Sequence, residues 1–319
     1  MTSADDTPAV ETDETERLGG DDRAAARETA PSERRIVAAR LWIVLAAVLW
    51  SSSGLFAKAP IFADWPIESR GIVLAFWRAL FAGVLLLPAV RRAKWDIKLV
   101  PLCVAFTAMN VTYLSAMTLT TAANSIWLQS TAPWWVFLVG VVLMGQPFAR
   151  SERFPLIVGG LGLAIILGFQ VQGQDRTGVL LGLVSGFCYS GVVMSLRALR
   201  GHDAVWLVAV CHLAAAAALG PYVAYAGVWP DGRQLPVLAA FGLFQMALPY
   251  VFFARGLRTI TSQEATGIGL LEPLLLPLWV YLAWNEVPAV STLVGGGLIL
   301  IGLVLRYAVP LVQKREATQ

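Results

Sequence analysis

Charged side chains inside long apolar stretches are the residues of this sequence that could do chemistry. Glu272 lies within the apolar stretch 262–284, directly before Pro273. On insertion scales, a charged side chain at the centre of a bilayer costs about 2.5 to 3.5 kcal/mol of insertion free energy, so such a residue is expected to serve function or helix packing. Glu272 could bind a substrate amine or a proton. A hydrogen bond between packed helices is the alternative interpretation.

Four other ionisable side chains occupy apolar stretches. Glu264 could guard an inner gate, or it could be an acid that the helix dipole favours near a helix N-terminus. Arg78 and Lys58 are expected in the outer halves of their stretches, where either could pair with an acid or attract a carboxylate; snorkelling also explains Lys58. His212 could relay protons near neutral pH, although a lone histidine is more often a hydrogen-bonded packing residue.

Uncharged polar and aromatic side chains could complete a substrate cavity. The amides are the expected polar contacts, and the aromatic rings could line a space for a flat or aliphatic substrate. Packing in the core or against lipid is the alternative for the rings. These residues are Asn110, Gln129, Gln245, Trp50, Trp134, Tyr189 and Tyr250.

No sequence pattern favours catalysis, a metal or a cofactor. Cys103, Cys188 and Cys211 are each embedded in apolar residues, without CxxC or Cys/His spacing. His202-Asp203 is the one neighbouring His–acid pair, and no motif surrounds it. The sequence also lacks a GxxxxGK[ST] phosphate loop. We therefore predict no catalytic residue, no metal ion and no cofactor.

The composition indicates that these residues are positioned by membrane-spanning helices. Apolar residues make up 57% of the 319 and charged residues 14%, which excludes a water-soluble globular domain. A helix needs roughly 20 apolar residues to cross the hydrocarbon, and ten segments meet that condition. We predict an all-α integral membrane protein with helices at 40–60, 71–90, 98–119, 122–145, 154–170, 177–198, 204–227, 235–257, 262–284 and 288–309.

The basic residues indicate orientation rather than nucleic-acid binding. They concentrate in the connections after even-numbered segments, such as 91–98, whereas the other connections contribute few. The positive-inside rule then puts both termini in the cytoplasm of a multi-pass plasma-membrane protein. Ten of the 21 acids lie in the first 33 residues, so 1–37 is predicted to be a disordered acidic tail. Residues 310–319 form a short cytoplasmic tail.

The two halves of the chain repeat at an offset of 139 or 140 residues. Each half contains five predicted helices, an odd number, so the second copy enters the membrane inverted. Small-residue strips at Gly178, Gly182 and Gly186, and at Gly160, Ala164 and Gly168, predict close helix contacts. The matched features are Trp50-Ser51 with Tyr189-Ser190, Lys58 with Arg197, Ala116 with Gly256, Pro133 with Pro273, and Gln146 with Glu286.

At these residues the chain resembles the ten-span drug/metabolite transporter superfamily, specifically proteins with two EamA-type repeats. The resemblance covers about 38–309, with repeats at 38–170 and 171–309. Two features depart from the family pattern: Gly145-Gln146 stands where the family often has Gly-Glu, and Trp50 precedes Ser51 rather than a glycine. The resemblance implies alternating-access export or exchange of small metabolites. It also places spans one, three, four, six, eight and nine around a central cavity.

Transport is the function that this repeat favours. The expected partners are a small-molecule substrate, amino-acid-like or amphipathic, the lipid bilayer, and protons as a coupling ion; the oligomeric state stays open. An integral-membrane enzyme acting on lipid-linked substrates is one alternative, although it would need a cluster of ionisable groups at one interface. A membrane scaffold without transport activity is the other.

Overall fold

Ten helices long and apolar enough to cross a membrane make up most of the chain that the structure describes. The computed structural model describes residues 33–142, 145, 150–171 and 175–307. The ten predicted helices are confirmed within this part of the chain, and we number them span one to span ten. They run Glu33–Ala57, Ile67–Ala89, Leu99–Leu119, Ala122–Val142, Arg153–Gln170, Arg176–Ala198, Ala204–Ala226, Gln234–Gly256, Glu264–Trp284 and Val290–Tyr307.

The start of span one and the end of span ten lie at the same side of the bundle. Because successive spans alternate in direction, Glu33 and Tyr307 lie at one end, which we call the terminal side; the other end is the opposite side. Span one begins at Glu33, so its first residues belong to the segment predicted as a tail. Residues 1–32, Gln146 and the tail 310–319 lie outside the described residues.

Helix pairing follows the inverted repeat. Span one packs along span eight, and span three packs along span six. Spans one and six are counterparts in the repeat, as are spans three and eight, so the repeat relates one of these pairs to the other. Span two packs along span seven and span five along span ten, and these pairs map onto themselves. A pseudo-two-fold relation between the halves produces such a pattern.

Spans four and nine are each broken at the same place in the repeat. Span four consists of Ala122–Gln129 and Ala132–Val142, and span nine consists of Ser262–Gly269 and Leu271–Trp284. Pro133 and Pro273 explain both breaks, because proline lacks an N–H and its ring clashes with the carbonyl four residues earlier. The hydroxyl oxygens of Thr121 and Thr261 cap the first halves by accepting the backbone N–H three residues on.

Spans one and eight depart from α-helical geometry for different local reasons. Span one is interrupted at Ser51 and Ser52, whose hydroxyls donate to the carbonyls of Val48 and Leu49 and so compete with helix continuation. Span eight contains a π-helical segment, Phe241–Ala247. Pro249 follows this segment and cannot donate to the carbonyl four residues before it.

Glycines permit the closest helix contacts, although one predicted strip is wrong. A Cβ on Gly178, Gly182 or Gly186 would press on spans three and four, which confirms that strip. Gly160 and Gly168, by contrast, face open space. Span five instead meets span ten through Gly162, which lies two residues from Gly160 and therefore on nearly the opposite face of the helix.

We expect Gly295→Ala to lower the thermal unfolding midpoint of the detergent-solubilised protein. Its Cβ would lie 2.6 Å from the Gly162 carbonyl oxygen, and backbone cannot move aside cheaply. Overpacking of this kind costs about 1–3 kcal/mol. Gly297→Ala is the matched control, because a Cβ there meets no atom within 4 Å. Equal midpoints for the two variants would contradict the close packing of spans five and ten.

Candidate functional site

A buried guanidinium group joins three helices near the centre of the bundle. Arg78 lies at the middle of span two rather than in its outer half, because the span begins at Ile67. Only 2% of Arg78 is exposed. Its guanidinium donates to the side-chain oxygen of Asn110 in span three and, at 3.0 Å, to that of Gln245 in span eight. The structure therefore brings together three of the predicted site residues.

The two amides are themselves held by backbone groups. Asn110 Nδ2 donates to the Ala75 carbonyl, 3.1 Å away, and Gln245 Nε2 donates to the Trp50 carbonyl, 3.3 Å away. Both amides therefore point their oxygens at Arg78 and their nitrogens at backbone acceptors. The π-helical segment supplies Gln245 and also Phe241, whose ring centre lies 5.2 Å from the Arg78 guanidinium carbon.

Glu272 is the acid nearest this network. It occupies the first turn after the break in span nine, where a helix N-terminus favours negative charge. It interacts electrostatically with Arg78 and is partly exposed. Within the described part of the chain, Glu272 makes no hydrogen bond or ion pair. The carboxylate is thus near a fixed cation but free to accept another partner.

Three tyrosines lie near the acid. They are Tyr113, Tyr189 and Tyr250. Trp50 packs edge-on against Tyr250 with ring centres 5.2 Å apart. Tyr189 is 40% exposed, and Trp50 and Tyr250 are partly exposed. The groups around Glu272 therefore present mainly ring surfaces and a few hydroxyls.

Ion pairs join spans one and nine at both ends of the bundle. On the terminal side, Arg40 Nε lies 2.7 Å from Glu264 Oε1. On the opposite side, Lys58 Nζ lies 2.7 Å from Glu286 Oε2 and also donates to the Thr120 carbonyl. Lys58 is therefore held by an acid of the other repeat rather than by snorkelling. The other carboxylate oxygen of Glu286 accepts the backbone N–H of Ala122 at the start of span four.

A third contact links the same two spans between these pairs. The indole N–H of Trp279 donates to the Ser51 hydroxyl at 2.9 Å, next to the break in span one. Spans one and nine are thus connected on the terminal side, in the interior and on the opposite side.

Three other predicted site residues make hydrogen bonds that do not involve Arg78 or Glu272, although the His212 ring lies edge-on to that of Tyr250, with ring centres 6.3 Å apart. His212 is fully buried, and its Nδ1 bonds the Val208 carbonyl of its own helix at 2.8 Å. Trp134 donates to the Leu156 carbonyl of span five, which gives it a packing contact. Gln129 ends the first half of span four and donates to Ser185 in span six. Of these, only Gln129 lies at a break.

Sequence reasoning missed two side chains, one near Arg78 and Glu272 and one in the ion pair on the opposite side. Tyr113 is 4% exposed, and its hydroxyl lies 3.0 Å from the Ser53 hydroxyl. Tyr113 stands three residues after Asn110, so both side chains lie on one helix face, and this spacing could have identified Tyr113 from the sequence. Glu286 was recognised only as a repeat feature. Its pairing with Lys58 joins residues 228 positions apart, and the repeat offset does not indicate that contact.

Comparisons with known proteins point to transport. The model of the EamA-like transporter family matches residues 38–168 and 176–308. A protein of Archaeoglobus fulgidus described as an uncharacterized transporter is 27% identical over 273 residues, which cover 83% of this chain and 94% of that protein. The pseudopaline exporter CntI of Pseudomonas aeruginosa is 24% identical over 203 residues, covering 61% of this chain and 69% of its own length.

A solved structure is similar in fold. One crystal structure superposes with a TM-score of 0.59 at 19% sequence identity and covers 84% of this chain and 96% of its own. At this identity the likeness concerns the helical architecture alone. Among the described residues of this chain, no group of three or more His, Cys, Asp or Glu side chains is arranged to hold a metal ion.

We expect Gln245→Met to destabilise the protein strongly. The substitution leaves one nitrogen of Arg78 and the Trp50 carbonyl without their partners, and hydrogen bonds to charged groups contribute about 1.5–3 kcal/mol. Gln170→Met is the control, since Gln170 also bonds across helices, to Ser291, but far from any buried charge in the described network. Thermal unfolding monitored by tryptophan fluorescence should show the larger loss for Gln245→Met; a loss no greater than the control's would contradict the role of the network.

Proposed function

Because the chain belongs to the EamA-like transporter family, we propose that it exports or exchanges small amphipathic metabolites carrying an amine. It is a multi-pass membrane protein, and in bacteria and archaea such proteins lie in the plasma membrane. Both termini are proposed to be cytoplasmic, so the terminal side faces the cytoplasm. Transport would proceed by alternating access around a central site.

The unpaired carboxylate of Glu272 carries this proposal. A partly exposed acid within a membrane span, with no partner among the described residues, is costly unless it serves a ligand. Arg78 cannot be that ligand's partner, because it is buried and held by two amides. The accessible charge is therefore negative, and it favours a proton or a protonated amine over a carboxylate.

The surrounding side chains favour a substrate with an apolar part. Tyr189 and Tyr250 lie near the acid, and the Trp50 ring packs against Tyr250. The amides of Asn110 and Gln245, by contrast, are committed to Arg78. Few uncharged hydrogen-bonding groups are left for a strongly polar solute. Cavities of this composition orient ligands through a small number of polar contacts. An amine attached to an aliphatic or aromatic body fits both features.

The ion pairs at the two ends of spans one and nine provide the gates. Opening toward the terminal side would separate Arg40 from Glu264, and opening toward the opposite side would separate Lys58 from Glu286. Each pair is partly exposed, so its rupture costs little, and exposed pairs are worth about 0–1 kcal/mol. Small energies of this size allow both open states to be visited within a transport cycle.

Competition for one carboxylate gives the coupling. A proton and a substrate amine cannot both neutralise Glu272, so binding of one releases the other. If protons enter from outside and substrate from the cytoplasm, each cycle exchanges them across the membrane. Arg78 remains fixed beside Glu272 throughout, because its guanidinium is held by the amides of Asn110 and Gln245.

We expect Glu272→Gln to leave the protein inserted and folded but to abolish proton-driven efflux of its substrate. The amide cannot exchange a proton or pair with an amine. The substrate is first found by comparing metabolites exported by cells with and without the gene; efflux from proteoliposomes is then measured with and without a pH gradient. A reduction of about tenfold or more is the expected result.

Glu68→Gln is the matched control for that experiment. Glu68 is an exposed acid in the first turn of span two, so its neutralisation changes the charge without touching the site. It should transport as the unchanged protein does. Normal efflux with unchanged pH dependence in Glu272→Gln would remove Glu272 from the mechanism. A lipid-linked product formed without solute movement would favour the enzyme alternative, and the lack of both activities would favour the scaffold.

We also expect Glu286→Gln to open the opposite side. Lys58 would lose its ion pair and Ala122 its charged acceptor, so the ends of spans one and nine should separate more often. Nitroxide labels on cysteines introduced at positions 59 and 283, in a chain whose three native cysteines are replaced by alanine, report that separation by double electron–electron resonance. Longer distances should gain population, whereas Asp231→Asn, an acid of another connection, should leave the distribution unchanged. Identical distributions for both variants would show that this pair is not a gate.

A further inference from the structure

A pocket separate from the central site opens on the terminal side between spans two, seven and eight. Its volume is about 480 Å³. Arg91 follows span two, and Arg255 and Arg258 lie at the end of span eight. Val251 and Ala254 supply apolar wall, and Asp203 stands at the start of span seven. The pocket thus combines cationic and apolar surface at the ends of three helices.

The positive charges of the three pocket arginines have no ion-pair partner among the residues that the structure describes. The side chains of Arg91, Arg255 and Arg258 form no hydrogen bond or ion pair with any residue between 33 and 307 that the structure describes. Asp203 is engaged elsewhere, because its two oxygens accept the backbone N–H groups of Val205 and Trp206, which begin span seven, and those of Arg91 and Arg92.

These backbone hydrogen bonds keep Asp203 in its charged form. Burial alone would raise the pKa of its carboxyl, but the N–H groups outweigh burial and hold the pKa below its usual value. Asp203 is therefore a charged helix cap at neutral pH. Its single negative charge offsets one arginine and leaves the pocket with a surplus of two positive charges.

Neighbouring residues locate this pocket at the level of lipid headgroups. The Arg255 guanidinium carbon lies 5.5 Å from the ring centre of Trp42. The basic connection after span two exposes Trp95 and Ile97 to 74% and 81%, and the Trp206 indole N–H anchors it by donating to the Lys94 carbonyl. Exposed tryptophan beside basic residues at helix ends is typical of the membrane interface.

We propose that this pocket binds the phosphate headgroup of an anionic phospholipid. Guanidinium groups donate paired hydrogen bonds to phosphate oxygens, and basic pockets between spans on the cytoplasmic side are suited to acidic headgroups. The apolar wall formed by Val251 and Ala254 would continue along the acyl chains. A soluble phosphate would use the same arginines but gain nothing from that wall.

Retention of dioleoyl phosphatidylglycerol by the purified full chain, measured by native mass spectrometry, tests this proposal. The unchanged protein should retain it in preference to dioleoyl phosphatidylcholine, and retention should fall as salt rises. Arg255→Gln combined with Arg258→Gln should weaken retention roughly tenfold or more. Arg197→Gln combined with Arg200→Gln is the control, since these exposed arginines lie at the same side but outside the pocket.

Three results would overturn the proposal. Equal losses in both double variants would mean that general surface charge holds the lipid. Retention by the unchanged protein that does not fall as salt rises would exclude a charged headgroup site. This measurement does not depend on whether the variants fold. Displacement of the lipid by inorganic phosphate or glycerol phosphate at concentrations similar to that of the lipid would show a soluble-anion site instead.

Discussion

Burial of the Arg78 guanidinium constrains most of the interior. A cation inside a membrane protein is costly unless polar groups surround it, so Asn110 and Gln245 approach its two terminal nitrogens from two other spans, while Nε has no hydrogen-bond partner among the described residues. Gln245 reaches it from a π-helical segment, and the absence of a side chain on Gly242 lets that segment approach span two. The nearby Glu272 balances this charge without pairing directly with it. The geometry of the candidate site thus follows from accommodating one positive charge.

The two repeats share a framework but differ where the charges lie. Thr121 and Thr261 cap equivalent half-helices, and Pro133 and Pro273 break equivalent spans. Glu272, however, corresponds to Ala132, so only the second repeat places an acid after its break. The ion pairs at the two ends also join the first repeat to the second. Symmetry in the backbone therefore coexists with asymmetry in the side chains that carry charge.

The sequence was sufficient to predict features governed by local chemistry. Apolar length predicted the ten spans. Pro133 and Pro273, recognised in the sequence as a repeated feature, stand at the breaks of spans four and nine, since proline acts on the turn directly before it. Contacts between residues distant in the sequence were harder to predict. Lys58 meets Glu286 and Trp279 meets Ser51 because spans one and nine pack together, and no local pattern encodes that pairing. Trp134 and His212 show the same limit, because composition could not tell which face of each helix packs inward.

Proton release on substrate binding tests the central claim most directly. The purified protein in weakly buffered detergent solution, with a pH indicator dye, is mixed with the amine substrate found by export profiling. If one carboxylate serves both ligands, the unchanged protein should release up to one proton per substrate bound, and Glu272→Gln should release none. Substrate binding without proton release, or equal release from the variant, would contradict the account.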